Sequence, residues 1–210
     1  MQGRFAEGRA LYKQSKAICR ELGLTLSLAT GTMTVREIYL LADDAEAAER
    51  ELRWGYETLE QMGEKGRRST LAGNLAETLY RQGRYEEADH YARAGLAAAS
   101  PEDIASQVMG RMVSAKLLAR KGEHDDAEET AREAVALAEN TDDLFTLGQA
   151  YEALAEVLLL ADQREEALTA LGAAAAASER KGNLVTAERA RTLLASLQPS
   201  ASTDAPGTAT

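Results

Sequence analysis

The sequence is poor in the residues that most constrain a chain. Cys19 is the single cysteine, so neither an intramolecular disulfide nor a CxxC pair can form. That usage fits a reducing interior. Prolines number three, Pro101, Pro199 and Pro206, which leaves long stretches without a helix breaker. β-branched residues are sparse and aromatics make up 5%, so the usual material of a sheet is missing. His90 and His124, the two histidines, have neither an HExxH setting nor cysteine partners, and no zinc site is written. No GxSxG motif or recognisable serine–histidine–aspartate set occurs. No apolar run approaches the roughly 20 residues of a membrane span. The opening Met1-Gln2-Gly3-Arg4-Phe5 lacks the regions of a signal peptide. Basic charge is also short, 24 Lys and Arg against 34 Asp and Glu, and a formal charge of -10 argues against nucleic-acid binding. These absences predict a cytoplasmic, non-enzymatic chain with no metal, no cofactor, no membrane and no nucleic acid among its partners.

What is present is repetition. Gly83-Arg84-Tyr85-Glu86-Glu87-Ala88 is echoed by Gly122 to Ala127 and Asp162 to Ala167 downstream, and by Asp43 to Ala48 and Gly3 to Gly8 upstream. The last positions, 8, 48, 88, 127 and 167, advance by 40, 40, 39 and 40 residues. Such a period implies stacked copies of a small unit. Ala, Leu, Glu and Arg dominate the body, and all favour helices. The expected fold is an all-α solenoid of antiparallel helix pairs over residues 1–198, with residues 199–210 a disordered tail of Ser, Thr, Ala, Gly and Pro.

Taken in order, residues 4–23 form a trailing helix without a leading partner, with Phe5, Leu11, Ile18 and Leu22 on its apolar side. It is basic, with Arg4, Arg9, Lys13, Lys16 and Arg20 against Glu7 and Glu21. A repeat cannot bury its apolar face alone. Two readings follow: the chain is cut from a longer protein, or the helix packs on a second copy to form a homodimer. Helix pairs are expected over 24–66, 67–100, 101–140 and 141–182, closed by a capping helix over 183–198. Asp43 with Glu46, and Asp162 with Glu165, read as capping boxes. Ser100-Pro101-Glu102-Asp103 reads as a helix start, with Ser100 as cap and Pro101 at the first helical position.

Two signals dissolve on inspection. Gly3-Arg4-Phe5-Ala6-Glu7-Gly8-Arg9-Ala10 has P-loop glycine spacing, but Arg9 replaces the lysine, Ala10 replaces the hydroxyl, and no strand precedes it. The acidic pairs Glu86-Glu87, Asp125-Asp126 and Glu165-Glu166 resemble acid and base couples. They recur in the first turns of successive helices, where the helix dipole favours negative charge.

Asn74-Leu75-Ala76, Leu79-Tyr80, Gly83, Tyr85, Ala88, Ala92 and Pro101, with Tyr151, Leu154, Ala155, Leu158, Ala167 and Ala174 later, resemble the tetratricopeptide repeats, specifically their longer bacterial form. The likeness weakens in the first pair, where Thr32 takes the aromatic position and Arg36 the small one. A narrower likeness joins Ala47 to Tyr56, Leu59 to Gly66 and Gly83 to Ala88 to the carboxy-terminal helical region of large bacterial signalling proteins. It implies a regulatory origin.

The first resemblance implies a right-handed stack whose leading helices line a concave, peptide-binding face. Carried over by register, the candidates are Met33, Glu37 and Leu40; Glu77, Tyr80 and Arg81; Met109, Met112, Lys116 and Arg120; and Glu152 and Glu156. Thr30, Leu41, Thr70, Gly73, Ala119, Gln149, Leu159 and Leu160 complete the four sets. Flexible thioethers and a tyrosine ring suit an adaptable peptide groove, while Met109 and Met112 equally fit an inter-repeat core. Arg81, Lys116 and Arg120 read either as a cationic patch for an acidic peptide terminus or as salt-bridge partners of neighbouring glutamates.

Overall fold

The computed structural model describes residues 2–197, in which ten helices and no strand occur. They are α1 (Phe5–Glu21), α2 (Thr25–Leu41), α3 (Ala45–Gln61), α4 (Gly66–Arg81), α5 (Tyr85–Ala98), α6 (Ile104–Lys121), α7 (His124–Glu139), α8 (Leu144–Leu160), α9 (Arg164–Lys181) and α10 (Leu184–Leu197). Successive helices pack as neighbours, and α2/α3, α4/α5, α6/α7 and α8/α9 form the tightest antiparallel pairs. The tail expected to be disordered, 199–210, lies outside the described residues.

The pairs close because one face of each trailing helix is nearly bare. Ala88 and Ala92 of α5, Ala127, Ala131, Ala134 and Ala138 of α7, and Ala167, Ala170, Ala174 and Ala177 of α9 are all buried. Side chains of one carbon let leucines and valines from the leading helices fill the seam at interior density. Gly55 of α3 takes this to its limit. A Cβ there would stand 2.5 Å from Thr32 Oγ1 and 2.9 Å from the Ala29 carbonyl oxygen. Thr32, which departs from the aromatic expected at its position, is therefore small because α3 lies against it.

The turns between helices correct three sequence expectations. Asp43 and Asp162 are not caps: both adopt left-handed backbone, φ 57 and φ 60, in the turn position that Gly23, Gly63 and Gly83 occupy elsewhere. Aspartate tolerates that region better than most side chains do. The cap falls one residue later. Asp44 accepts from the Ala47 amide at 3.1 Å, whereas Gln163 makes no side-chain cap bond. Ser100 and Pro101 do not begin α6 either. Residues 101 and 102 form a turn, Ser100 Oγ donates to Glu102, and Asp103 caps the helix by accepting from Ser106 N at 3.2 Å.

Curvature follows from unequal spacing on the two sides. Leading helices pack directly, α4 on α6 and α6 on α8. Trailing helices are joined by long side chains instead: Arg84 Nη1 to Glu49 at 2.7 Å, Arg53 Nη2 to Glu87 at 2.8 Å, and Arg132 to Glu166. The leading helices thus lie on the inside of the bend. At the amino-terminal end α1 sits on α2, tied to α3 by Tyr12 Oη and Lys16 Nζ on Glu51 at 2.9 and 2.6 Å. None of its residues is buried.

Candidate functional site

The inner wall is built by α2, α4, α6 and α8, and its charges come from residues one repeat apart that meet across neighbouring helices. Glu77 of α4 is buried and accepts from Arg81 Nε, one helical turn on, at 2.8 Å. It also accepts from Lys116 Nζ of α6, itself buried. Burial pushes the Glu77 carboxyl up, but the two cations outweigh it and hold the group at about 2. Lys116 Nζ lies 4.3 Å from the centre of the Tyr80 ring, a contact that further occupies the ammonium.

Tyr80 begins a second set. Its hydroxyl donates to Glu156 of α8 and accepts from Arg120 Nε of α6 at 2.6 Å. Arg120 Nη2 reaches the same Glu156 oxygen at 3.2 Å. Burial and the Glu156 carboxylate both raise the Tyr80 hydroxyl above its ordinary value, so it remains a donor through neutral pH. The guanidinium of Arg120 also lies 5.0 Å from the Tyr85 ring.

Glu37 of α2 closes the first repeat onto the last. It accepts from its neighbour Arg36 and from Gln149 Nε2 of α8 at 3.3 Å, residues far apart in sequence. From α10, Arg189 Nη2 donates to the Leu41 carbonyl oxygen at 3.0 Å and to Asp43 Oδ1 at 3.3 Å. The concave side is accordingly not an open channel. Side-chain bridges divide it into two adjoining cavities, of about 340 and about 250 Å³, both bordered by Arg81, Gln149, Glu152 and Glu156. The first volume falls at the lower end of the roughly 300 to 1,000 Å³ of small-ligand pockets, and the second lies just below it.

Of the twelve candidates, Glu37, Glu77, Tyr80, Arg81, Met109, Met112, Lys116, Glu152 and Glu156 line one or both cavities. Arg120 joins them through Tyr80 and Glu156. Met109 and Met112 are each buried in the carboxy-terminal core, and each also borders the smaller cavity. Met33 packs against the amino-terminal core and Leu40 is buried, and neither borders these cavities. Arg81, Lys116 and Arg120 are held by Glu77 and Glu156, which favours the salt-bridge reading over a patch awaiting an acid.

Sequence reasoning missed Arg189 and Leu193, because α10 read as a cap rather than as part of the wall. It also gave no role to Phe145, at the start of α8. Arg36 is 1% exposed, with Nε and Nη1 lacking hydrogen-bond partners. Burial, together with the charge of Arg81, lowers its guanidinium to about 10. An arginine at a position where the repeat pattern wants a small residue was the available signal.

Among the described residues no group of three or more His, Cys, Asp or Glu could hold a metal. No helix there is long and apolar enough to cross a membrane.

The architecture defines an α-solenoid of repeated helix pairs. Residues 69–99 match the tetratricopeptide repeat family model, the segment spanning most of α4 and α5. The fold is TPR-like by comparison with solved structures. The chain resembles the nearly identical TPR-like repeats of a Podosopora anserina protein described as a kinesin light chain, at 19% identity and TM-score 0.51, covering 85% of this chain and 89% of that one. BtubC (BKLC) from P. vanneervenii is similar over 100% of this chain and 82% of its own, at 18% identity and TM-score 0.59. No match is found among curated proteins.

Proposed function

We propose that the chain is a non-catalytic interaction scaffold that binds a peptide or protein segment at its concave face, as the regulatory or sensory part of a larger bacterial signalling protein. The observation that carries this reading is the inner wall itself. Four leading helices and α10 turn charged, aromatic and thioether side chains toward two joined cavities, the mixture that peptide recognition uses. The repeat match over 69–99 supports the scaffold class. The regulatory origin rests on the likeness of residues 47–88 to signalling proteins.

An array of immobilised decapeptides probed with the intact chain tests the site. Peptides retained by the native chain should lose affinity by about tenfold in Gln149→Trp, because an indole at the border of both cavities fills the space that a 1.4 kcal/mol contact would use. Equal retention by the variant would place binding elsewhere.

A second reading, self-association through α1, is favoured by one feature. Leu11, Ile18 and Leu22 are 58, 56 and 65% exposed, an apolar edge on a basic helix. Sedimentation of the intact chain against one beginning at Leu24 decides it: a dimer that becomes monomeric on truncation is expected, and monomers in both remove the idea.

A further inference from the structure

The charges that border the two cavities are unequal. Glu37, Glu77, Glu152 and Glu156 face Arg81, Lys116 and Arg189. Each cation is committed, Arg81 and Lys116 to Glu77 and Arg189 to Leu41 and Asp43. Three of the carboxylates are committed too: Glu37 to Arg36 and Gln149, Glu77 to its two cations, and Glu156 to Tyr80 and Arg120. Glu152 is the exception. It accepts no hydrogen bond and forms no ion pair among the described residues, yet it borders both cavities. Its register equivalents on α2, α4 and α6 are Met33, Gly73 and Met112, so the charge is peculiar to α8.

Glu152 is half-buried on the border of both cavities, and a carboxylate left without a partner among the described residues at such a place is open to one that a ligand supplies. The apolar part of the larger cavity is close by, formed by Phe145, Leu159 and Leu193. An ammonium or guanidinium on an aliphatic stem matches this pairing of one carboxylate with an oily wall, since the stem buries while the head reaches the charge. We propose that Glu152 receives the lysine or arginine side chain of the bound segment, entering where the two cavities meet. This rests on the reading of the concave face as the binding site, and it reverses the acidic-ligand preference that Arg81, Lys116 and Arg120 suggested in the sequence. Arg36, the other orphaned charge, offers no rival anion site: it borders neither cavity, and its remaining nitrogen bonds Glu37.

The test uses matched decapeptides that differ only at the central residue, arginine, lysine, norleucine or glutamate, each with an acetylated or a free amino terminus. The intact chain and Glu152→Gln are compared, with helical circular dichroism confirming that both are folded. The expected result is about tenfold stronger retention of the arginine and lysine peptides than of norleucine, the discrimination of one charge-assisted bond. That preference should collapse in Glu152→Gln, the arginine and lysine peptides being retained no better than the norleucine peptide. Preference for the glutamate peptides overturns the proposal, as does a lysine and arginine preference that survives in Glu152→Gln. A dependence on the free amino terminus alone assigns the cation to the chain end and overturns the side-chain assignment. Retention indifferent to the central residue sinks the proposal and leaves the concave site standing, whereas retention of no peptide at all sinks both.

Discussion

Glu77 and Glu152 stand on the same inner wall, two repeats apart, and differ in what surrounds them. Glu77 is buried between Arg81 and Lys116, and its carboxyl is held at about 2. At Glu152 burial raises the carboxyl instead, helped by the nearby charge of Glu77 and opposed at a distance by Arg81, Lys116 and Arg189. Burial acts upward on both, so the difference lies in contact with cations. The middle of the wall has spent its charges on holding α4 to α6. The carboxy-terminal end has kept one in reserve, and a group without a partner among the described residues is the more informative about function.

The comparison breaks most readily at Lys116. In Lys116→Ala, Glu77 keeps Arg81 but loses its buried partner, and the Tyr80 ring loses the ammonium above it while keeping the Arg120 guanidinium. Breaking a buried ion pair typically costs about 3 to 5 kcal/mol, and with Arg81 still compensating part of the Glu77 charge a loss at the lower end, about 3 kcal/mol, is expected. Urea denaturation followed by far-ultraviolet circular dichroism measures it. A repeat array need not unfold in one step, so the early part of the transition is the relevant portion. A change below about 0.5 kcal/mol would mean that the ion pair holds nothing together and that paired and unpaired glutamates on this wall are equivalent.

Most of the fold was legible because helix pairing repeats a local rule. The alanines of α5, α7 and α9 mark each seam, and the step from Ala88 to Ala127 to Ala167 fixes the period before any coordinates are known. What local rules could not give is where the chain returns on itself. The Gln149–Glu37 and Arg189–Leu41 bonds join residues more than a hundred positions apart, and their existence depends on curvature summed over four repeats. The caps show the same limit on a smaller scale. Asp43 and Asp162 have the composition of an N-cap and the backbone of a turn glycine, and only the helix geometry decides between them. The candidate site was half legible. Register placed nine of twelve residues on the cavities, but which carboxylate lacked a partner depended on side chains from other helices.

The smaller prediction sharpens the comparison through pH. Glu152→Gln removes an unpartnered charge without changing shape, so the variant should be more stable than the native chain at neutral pH by about 1 kcal/mol, as expected where a site is kept at the cost of stability. The gain should depend on pH in one direction. Because the folded carboxyl of Glu152 titrates above its unfolded value, the folded state holds more protons between the two, and native stability rises as pH falls through that window. The variant lacks this rise, so the two should converge near pH 4, around the unfolded carboxylate range of about 4.3. Below it, both lose the contribution of Glu77, whose depressed carboxyl stabilises above the unfolded value and is protonated as pH falls toward about 2. Urea midpoints from pH 8 to pH 4 follow the convergence. A pH-independent gap would show that glutamine acts by packing alone, and a variant weaker at neutral pH would show that Glu152 already has a stabilising partner within the chain.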